Sequence, residues 1–177
     1  MTEKSEKVLT MLDKALDMER KGMAFYEEAI KTCSNQVGKE IFKMLREEEL
    51  VHIDRIMKIY SNLEKEENWT ADWKVIKTDH GDLEEFFIDL TKRHGTDITA
   101  NTSDIEALDV GMDFEQNAVS FYRDHLSDAV ETLEQEFIEE MVAEERYHYK
   151  ILGDMKLYLT NPEMWFRERE HGGLDGA

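Results

Sequence analysis

Four segments of this 177-residue sequence place apolar side chains at alternating intervals of three and four residues, and this pattern constrains the fold most strongly. The four apolar stripes run over residues 8–29, 42–63, 105–126 and 138–159. In a helix, such spacing puts the apolar side chains on one face, and that face must be buried against another element. The sequence therefore predicts an all-α protein in which four helices share one core.

The segments between the stripes indicate how the helices are connected. Short joints near residues 34–36 and near Ser127 link the first helix to the second and the third to the fourth. Short joints make neighbouring helices antiparallel. A crossover segment, residues 61–102, separates the second helix from the third and is long enough to run from one end of a bundle to the other. We therefore expect an antiparallel four-helix bundle with a long crossover between helices 2 and 3.

The domain organisation follows from the same reading. Residues 1–160 are expected to form one domain, in which the crossover contains a short helix near 82–94. Residues 161–177 are expected to form a C-terminal tail. Because Asn is a good N-cap and Pro is favoured at the first helical position, Asn161-Pro162 predicts a short helix at the start of this tail.

Two motifs of the capping-box form predict where the third and fourth helices begin. They are Ser103-x-x-Glu106 and Asp128-x-x-Glu131. In a capping box the first side chain accepts a hydrogen bond from a backbone N–H of the first turn, and the acidic side chain reciprocates. These motifs place the two helix starts just after Ser103 and Asp128.

Six ionisable residues interrupt the apolar stripes. They are Glu19 in the first stripe, Glu49 and His52 in the second, Glu115 in the third, and Glu145 and His148 in the fourth. Burying an ionised carboxylate without a partner costs several kcal/mol. The stripes offer no Lys or Arg to balance four buried Glu residues, whereas two divalent cations would. The sequence thus predicts a metal centre, and the alternative is a metal-free bundle with buried acids.

The six residues form an internal repeat. An offset of 96 residues relates Glu19 to Glu115, Glu49 to Glu145 and His52 to His148. Residues three apart lie on one face of a helix, so each Glu-x-x-His pair can direct both side chains at one metal region. The repeat predicts two helical hairpins related by a pseudo-two-fold axis. Each hairpin would contribute one Glu and one Glu-x-x-His motif.

The donor types narrow the choice of metal. This combination of Glu residues and Glu-x-x-His motifs is the established arrangement of ferritin-like di-iron and di-manganese proteins. Carboxylate and imidazole suit iron or manganese, while structural zinc more often takes thiolates. The donor types therefore indicate two iron or manganese ions, and zinc is a possible substitute. Tyr26 and Tyr122 follow the Glu of their own helix by two turns. Each is either a core residue or a hydrogen-bond donor to a metal ligand.

Composition excludes several other functions. The formal net charge is −19, so the surface repels phosphate backbones and nucleic acid is not an expected partner. The sequence contains no apolar run of the ~18 residues that a membrane span needs. The N-terminus is charged, and Cys33 has no internal disulfide partner. These features together favour a cytoplasmic location.

The chain resembles the rubrerythrin-type di-iron domain of the ferritin-like superfamily. The resemblance is carried by Glu19 with Gly22 and Phe25-Tyr26, by Glu49-Leu-Val-His52, by Glu115 with Phe121-Tyr122, and by Ala143-Glu-Glu-Arg-Tyr-His148. It implies an antiparallel bundle that binds two irons. It also implies that Glu49 and Glu145 bridge the irons, and that the other four residues are terminal ligands.

The resemblance further implies an oxidoreductase that protects the cell against oxidative stress. Such a protein reduces hydrogen peroxide or dioxygen with electrons from an external carrier such as rubredoxin, and we expect a homodimer. Rubrerythrins have a further Glu one turn after the third-helix ligand, where this chain has Ala118; Glu84 or Glu85 in the crossover could replace it. The remaining six-residue set resembles the ferroxidase centre of bacterioferritins. A ferroxidase or iron-binding protein without reductase turnover, or a metal-stapled structural bundle, are therefore the alternatives.

Overall fold

The fold of the computed structural model is all-α in the part of the chain that it describes, residues 3–66, 68–78, 81–96, 98 and 100–172. The helices in chain order are α1 (Glu3–Thr32), α2 (Gln36–Glu66), α3 (Leu83–His94), α4 (Thr102–Leu126), α5 (Thr132–Thr160) and α6 (Pro162–Gly172). Helices α1, α2, α4 and α5 coincide with the four predicted stripes. Within the described residues, no helix is both long enough and apolar enough to cross a membrane.

The four long helices form two antiparallel hairpins. Residues 33–35 join α1 to α2, and residues 127–131 join α4 to α5. The hairpins pack against each other through α1 with α4 and α2 with α5. At one end of the bundle, the backbone N–H and the hydroxyl of Ser34 donate to the carboxylate of Asp104, at 2.8 and 2.6 Å. This contact fixes the first hairpin's turn to the start of α4.

The crossover between α2 and α4 contains ordered elements that cover the bundle. A 3-10 helix spans Ala71–Val75, and its Trp73 is buried against Phe137 of α5. Helix α3 lies where the sequence predicts a short helix, and its N-cap Asp82 accepts a hydrogen bond from the N–H of Glu85. The helix ends at Gly95, whose φ of 61° is unfavourable for residues with a Cβ.

The start of α4 differs from the prediction. The N-cap is Asn101, which forms a capping box with Asp104, and not Ser103 with Glu106. Both motifs are chemically competent, so local sequence does not distinguish them. The capping box that forms is the one whose acidic residue, Asp104, also accepts hydrogen bonds from Ser34. The predicted box at Ser103 is therefore wrong by two residues.

The start of α5 differs for a related reason. The N–H of Asp128 bonds to the carbonyl of His125 at 3.2 Å, so Asp128 belongs to the turn that ends α4. The capping box is formed by Glu131 and Glu134 instead. The predicted box at Asp128 is thus wrong, and the helix begins at Thr132.

Helix α6 follows α5 almost directly. Asn161 caps it by accepting a hydrogen bond from the N–H of Met164 at 3.0 Å, as the Asn-Pro pair predicts. Its Trp165 packs edge-on against Phe87 of α3 and Tyr158 of α5. The helix therefore ties the crossover to the end of the bundle. The last five positions of the predicted tail, 173–177, lie outside the described residues.

The apolar core divides into two clusters along the bundle axis. One cluster contains Phe42, Leu108 and Ile151, and the other contains Leu12 and Phe137, each with further apolar neighbours. The polar residues of the four stripes occupy the level between the two clusters. A charged layer is therefore sealed on both sides by apolar packing.

Candidate metal centre

The structure brings all six predicted site residues together in the polar layer. They are Glu19 on α1, Glu49 and His52 on α2, Glu115 on α4, and Glu145 and His148 on α5. None of them is more than 3% exposed. The stripes explain this placement, because residues in register with the apolar face must point to the bundle axis.

The donor atoms form two groups that are compatible with metal binding. In the group around His148, ligand atoms of Glu49, Glu115, Glu145 and His148 all lie within 4.8 Å of one another. In the group around His52, the same limit encloses ligand atoms of Glu19, Glu49 and His52. We call these groups the His148 half-site and the His52 half-site.

Glu145 lies between the two half-sites. Its Oε1 is 3.1 Å from His52 Nδ1, and its Oε2 is 3.5 Å from His148 Nδ1. Glu49 has the same disposition, with Oε2 at 3.7 Å from His52 Nδ1 and Oε1 at 3.9 Å from His148 Nδ1. A carboxylate with one oxygen towards each half-site is arranged as a bridging ligand.

Glu19 and Glu115 each face one half-site. Glu19 Oε2 is 3.5 Å from His52 Nδ1, and Glu115 Oε2 is 3.7 Å from His148 Nδ1. The two imidazole rings stack with their centroids 5.5 Å apart. The disposition is therefore that of two terminal Glu-and-His pairs around two bridging carboxylates.

Several of these buried polar atoms have no hydrogen-bond partner. The group comprises Oε2 of Glu49, both carboxylate oxygens of Glu145, and Nδ1 of both His52 and His148. Buried polar atoms are almost always paired, since an unpaired one costs about 1–3 kcal/mol. All of these atoms face one another across the polar layer. Together with the oxygen and imidazole donor types, this arrangement fits two metal ions such as iron or manganese.

Burial and mutual charge shift the pKa values in this layer. Burial raises the pKa of Glu49, and the charges of Glu19 and Glu145 raise it further. Burial alone would lower the pKa of His52, but the charge of Glu145 and contacts with neighbouring carboxylates raise it overall. The pKa of His148 is raised likewise, chiefly by Glu115 against the effect of burial. In the metal-free protein, protons therefore offset part of the carboxylate charge.

An outer carboxylate holds each imidazole. His52 Nε2 lies 3.1 Å from Glu144 Oε2, and His148 Nε2 lies 3.4 Å from Glu48 Oε2. Because Nε2 of each ring faces a carboxylate, Nδ1 is left for a metal. Such carboxylate–histidine pairs fix the tautomer and orientation of metal-binding imidazoles. Glu48 and Glu144 match in the 96-residue repeat, but the repeat alone does not reveal this role.

Arg55 is a residue that the sequence reading missed. It is 3% exposed, and its Nη1 donates to Glu144 Oε2 at 2.6 Å. Its contacts are with the outer carboxylates of Glu144 and Glu140 and with the carbonyl of Ile76, so it does not balance the four central Glu residues. Burial alone would raise the pKa of Glu144, but His52 and Arg55 lower it to about 2. Arg55 lies three residues after His52, and this spacing was the feature of the sequence that could have indicated its position beside the histidine.

Two tyrosines tie the hairpins together, and of the two roles that the sequence left open, core residue or hydrogen-bond donor to a candidate ligand, the structure shows the donor. The hydroxyl of Tyr26 on α1 donates to Glu115 on α4, and that of Tyr122 on α4 donates to Glu19 on α1. Burial raises the pKa of both hydroxyls, and the neighbouring carboxylates add to the effect. Both tyrosines therefore remain neutral donors that orient the terminal Glu residues.

Replacing Tyr122 with Phe is expected to weaken metal binding at the His52 half-site by about tenfold, because Glu19 loses the donor that orients it. Titration with Mn(II), followed by electron paramagnetic resonance, measures this change. Tyr158→Phe is the matched control, since that buried hydroxyl bonds to the carbonyl of Gly95. Equal affinities in Tyr122→Phe and the wild type would contradict the assigned role.

The position one turn after each terminal Glu is small in both hairpins. A Cβ on Gly22 would lie 3.4 Å from Cδ of Glu49, which is ordinary van der Waals contact, so Gly22 lies directly beside that carboxylate. The equivalent residue, Ala118, is buried and has no donor atom. Glu84 does not replace it, since it pairs with Lys150 and Arg169, and Glu85 is exposed. The crossover thus supplies no seventh carboxylate from these two positions.

Comparison with known proteins gives one result. A family model described as Rubrerythrin matches residues 10–156, which is most of the chain. The matched range contains all six residues of the two half-sites. Neither the comparison with curated proteins nor that with solved structures gave a significant match.

Proposed function

Because the chain belongs to the rubrerythrin family, we propose that it binds two iron ions in the two half-sites and reduces hydrogen peroxide, or dioxygen, with electrons from a separate carrier. The observation that carries the proposal is the position of Glu49 and Glu145, each with one carboxylate oxygen towards each imidazole. A pair of ferrous ions supplies the two electrons that cleave an O–O bond.

The protein's own residues set the geometry and the access. Glu48 and Glu144 hold the two imidazoles, and Tyr26 and Tyr122 hold the terminal carboxylates. Fixed donors lower the reorganisation that a change of metal charge would otherwise require. Burial of the six donors excludes bulk water from the centre and restricts it to small oxidants.

One surface cavity reaches the outer carboxylates. It has a volume of about 140 Å³, and its lining includes Glu48, Glu144, Arg55 and Lys77. Two of its lining residues, Glu48 and Glu144, contact the imidazoles of His148 and His52. The cavity is large enough for a molecule the size of hydrogen peroxide and too small for a protein or polymer substrate, and we propose that the oxidant approaches the half-sites from this side. An electron carrier such as rubredoxin would dock on the surface instead.

A second function is favoured by Ala118. A buried alanine at this position leaves six donors, the set that bacterioferritin ferroxidase centres use. An iron-oxidising or iron-binding protein without reductase turnover is therefore the second candidate. A cytoplasmic homodimer remains our expectation for either function.

Anaerobic loading with ferrous iron, followed by one equivalent of hydrogen peroxide, tests the proposal. We expect rapid oxidation of both irons, seen by optical absorption, and then continued peroxide consumption when reduced rubredoxin and its reductase are added. Each turnover consumes one peroxide, two electrons and two protons and yields two waters. The metal-free protein is the control and should consume no peroxide.

The outcome separates the two candidates. Oxidation with dioxygen in preference to peroxide, with the iron retained and no turnover, would support the ferroxidase function. No redox response from a protein loaded with two irons would reject both and leave a structural role for the metal.

A further inference from the structure

Arg55 breaks the two-fold repeat of the polar layer. The site residues recur after 96 positions, but the residue 96 positions after Arg55 is Ile151. Arg55 follows His52 by three residues, and Ile151 follows His148 by three. Ile151 is fully buried in the apolar cluster. The two half-sites therefore have a cation and an alkyl group, respectively, at equivalent positions.

The contacts of Arg55 direct its charge at the His52 half-site. Its Nη1 donates to Glu144 Oε2, the same oxygen that faces His52 Nε2. Its Nε donates to the carbonyl of Ile76 in the crossover at 2.9 Å, and Nη2 lies 3.8 Å from Glu140 Oε1. The guanidinium is thus fixed on both sides and cannot swing away from Glu144.

This contact weakens His52 as a metal donor. A carboxylate oxygen that accepts from a guanidinium has less negative charge to offer to an imidazole N–H. Outer carboxylates make metal-binding imidazoles more basic, so His52 gains less basicity from Glu144 than it would without Arg55. The positive charge also opposes a divalent cation at the same half-site. Both effects act in the same direction.

The distances from the ring nitrogens do not rank the half-sites in this order. Nδ1 of His52 has three carboxylate oxygens at 3.1, 3.5 and 3.7 Å, and Nδ1 of His148 has three at 3.5, 3.7 and 3.9 Å. The inference about loading therefore depends on the charge of Arg55 and not on the number of donors.

We propose that Arg55 makes the two half-sites unequal, so that the His148 half-site takes the first metal ion and the His52 half-site the second. This inference rests on the proposed metal centre and goes beyond it by assigning an order of loading and the residue that sets it. Arg55 acts through Glu144 and is a positioning residue. The consequence is a protein that holds one metal ion when metal is scarce.

Crystals grown without metal and supplied with one equivalent of Co(II) per chain test the order directly. Anomalous scattering gives the occupancy of each half-site. We expect the His148 half-site to bind about tenfold more tightly than the His52 half-site, which is the lower range for outer-sphere effects on metal affinity. Arg55→Gln should bring the two occupancies close to equal. Arg55→Lys keeps the charge and should retain most of the difference.

The outcomes distinguish this inference from the proposed function. Equal occupancies in the wild type, or a fuller His52 half-site, would overturn the inference while leaving the two-metal centre intact. An unchanged ratio in Arg55→Gln would remove Arg55 as its cause. No cobalt within the bundle would overturn both proposals. The wild-type ratio decides the order of loading even if the glutamine variant does not fold.

Discussion

Replacing Glu145 with Ala is expected to abolish the binding of both metal ions. The reason is that Glu145 has one oxygen 3.1 Å from His52 Nδ1 and the other 3.5 Å from His148 Nδ1, so each half-site loses a donor. We expect fewer than about 0.2 metals per chain instead of two. Losing a direct ligand should lower the affinity by more than the 10–100-fold effect of losing an outer residue. Elemental analysis of the purified, reloaded variant measures the stoichiometry.

Two further variants make this result specific. His52→Ala removes a donor from one half-site and should leave close to one metal per chain. Glu139→Ala removes an exposed carboxylate from the same helix and should leave two. If Glu145→Ala retains two metals per chain, the bridging assignment is wrong. The circular dichroism spectrum of each variant must remain helical for the comparison to count.

Metal removal is expected to destabilise the protein, and the loss should grow as the pH rises. In the metal-free protein, burial and neighbouring charges raise the pKa of Glu49 above its ordinary 4.5, and the pKa values of His52 and His148 lie above their ordinary 6.5. Each of these groups binds its proton more tightly in the folded than in the unfolded chain. The free energy of unfolding therefore falls with rising pH, above about 4.5 for Glu49 and above about 6.5 for the histidines.

Bound metal removes this loss of stability at high pH. Metal takes the place of the protons and binds only the folded site, so loaded protein is stabilised by mass action. We expect the melting temperature of the loaded protein to exceed that of the metal-free protein by several degrees at pH 6 and by about 10 °C or more at pH 8.

At low pH, Glu115 gives the stability of the metal-free protein the opposite dependence on pH. Burial alone would raise the pKa of Glu115, but its interactions with His148 lower it overall. The ionised carboxylate therefore stabilises the folded protein, and this stabilisation is lost as the pH falls below about 4.5.

Differential scanning calorimetry of loaded and chelated protein between pH 5 and 8 provides the measurement. Glu145→Ala serves as the control, since chelation should not alter a protein that binds no metal. A melting temperature that chelation leaves unchanged at neutral pH would argue against a buried metal centre. A difference that shrinks with rising pH would show that protons do not occupy the metal-free site.

The sequence alone predicts the bundle and the composition of its polar layer for a simple reason. Side chains such as Leu12, Glu19 and Tyr26 lie on one helical face because they are seven residues, or about two turns, apart. In a four-helix bundle that face packs against the bundle axis. The repeat then predicts which residues meet across the axis. These properties depend on spacing, which the sequence states directly.

The helix starts and the outer contacts depend on three-dimensional contacts that spacing does not encode. Asn101 and Ser103 are both able to cap α4, and the box that forms at Asn101 is the one whose Asp104 also contacts Ser34, about seventy positions away. Arg55 follows the same logic. Its position beside His52 can be predicted from the sequence. Its contacts with Glu144 and Ile76 cannot, because they form only where α5 and the crossover pack against α2.

The reciprocal tyrosine hydrogen bonds make each hairpin depend on the other. Each hairpin has the terminal Glu and the His for one half-site, but the tyrosine that orients its Glu belongs to the other hairpin. A single hairpin is therefore chemically incomplete. Two copies of one hairpin, paired about a true two-fold axis, would supply every missing part. Because one chain contains both hairpins, a residue such as Arg55 can stand in one of them alone, whereas strict two-fold symmetry would impose it on both.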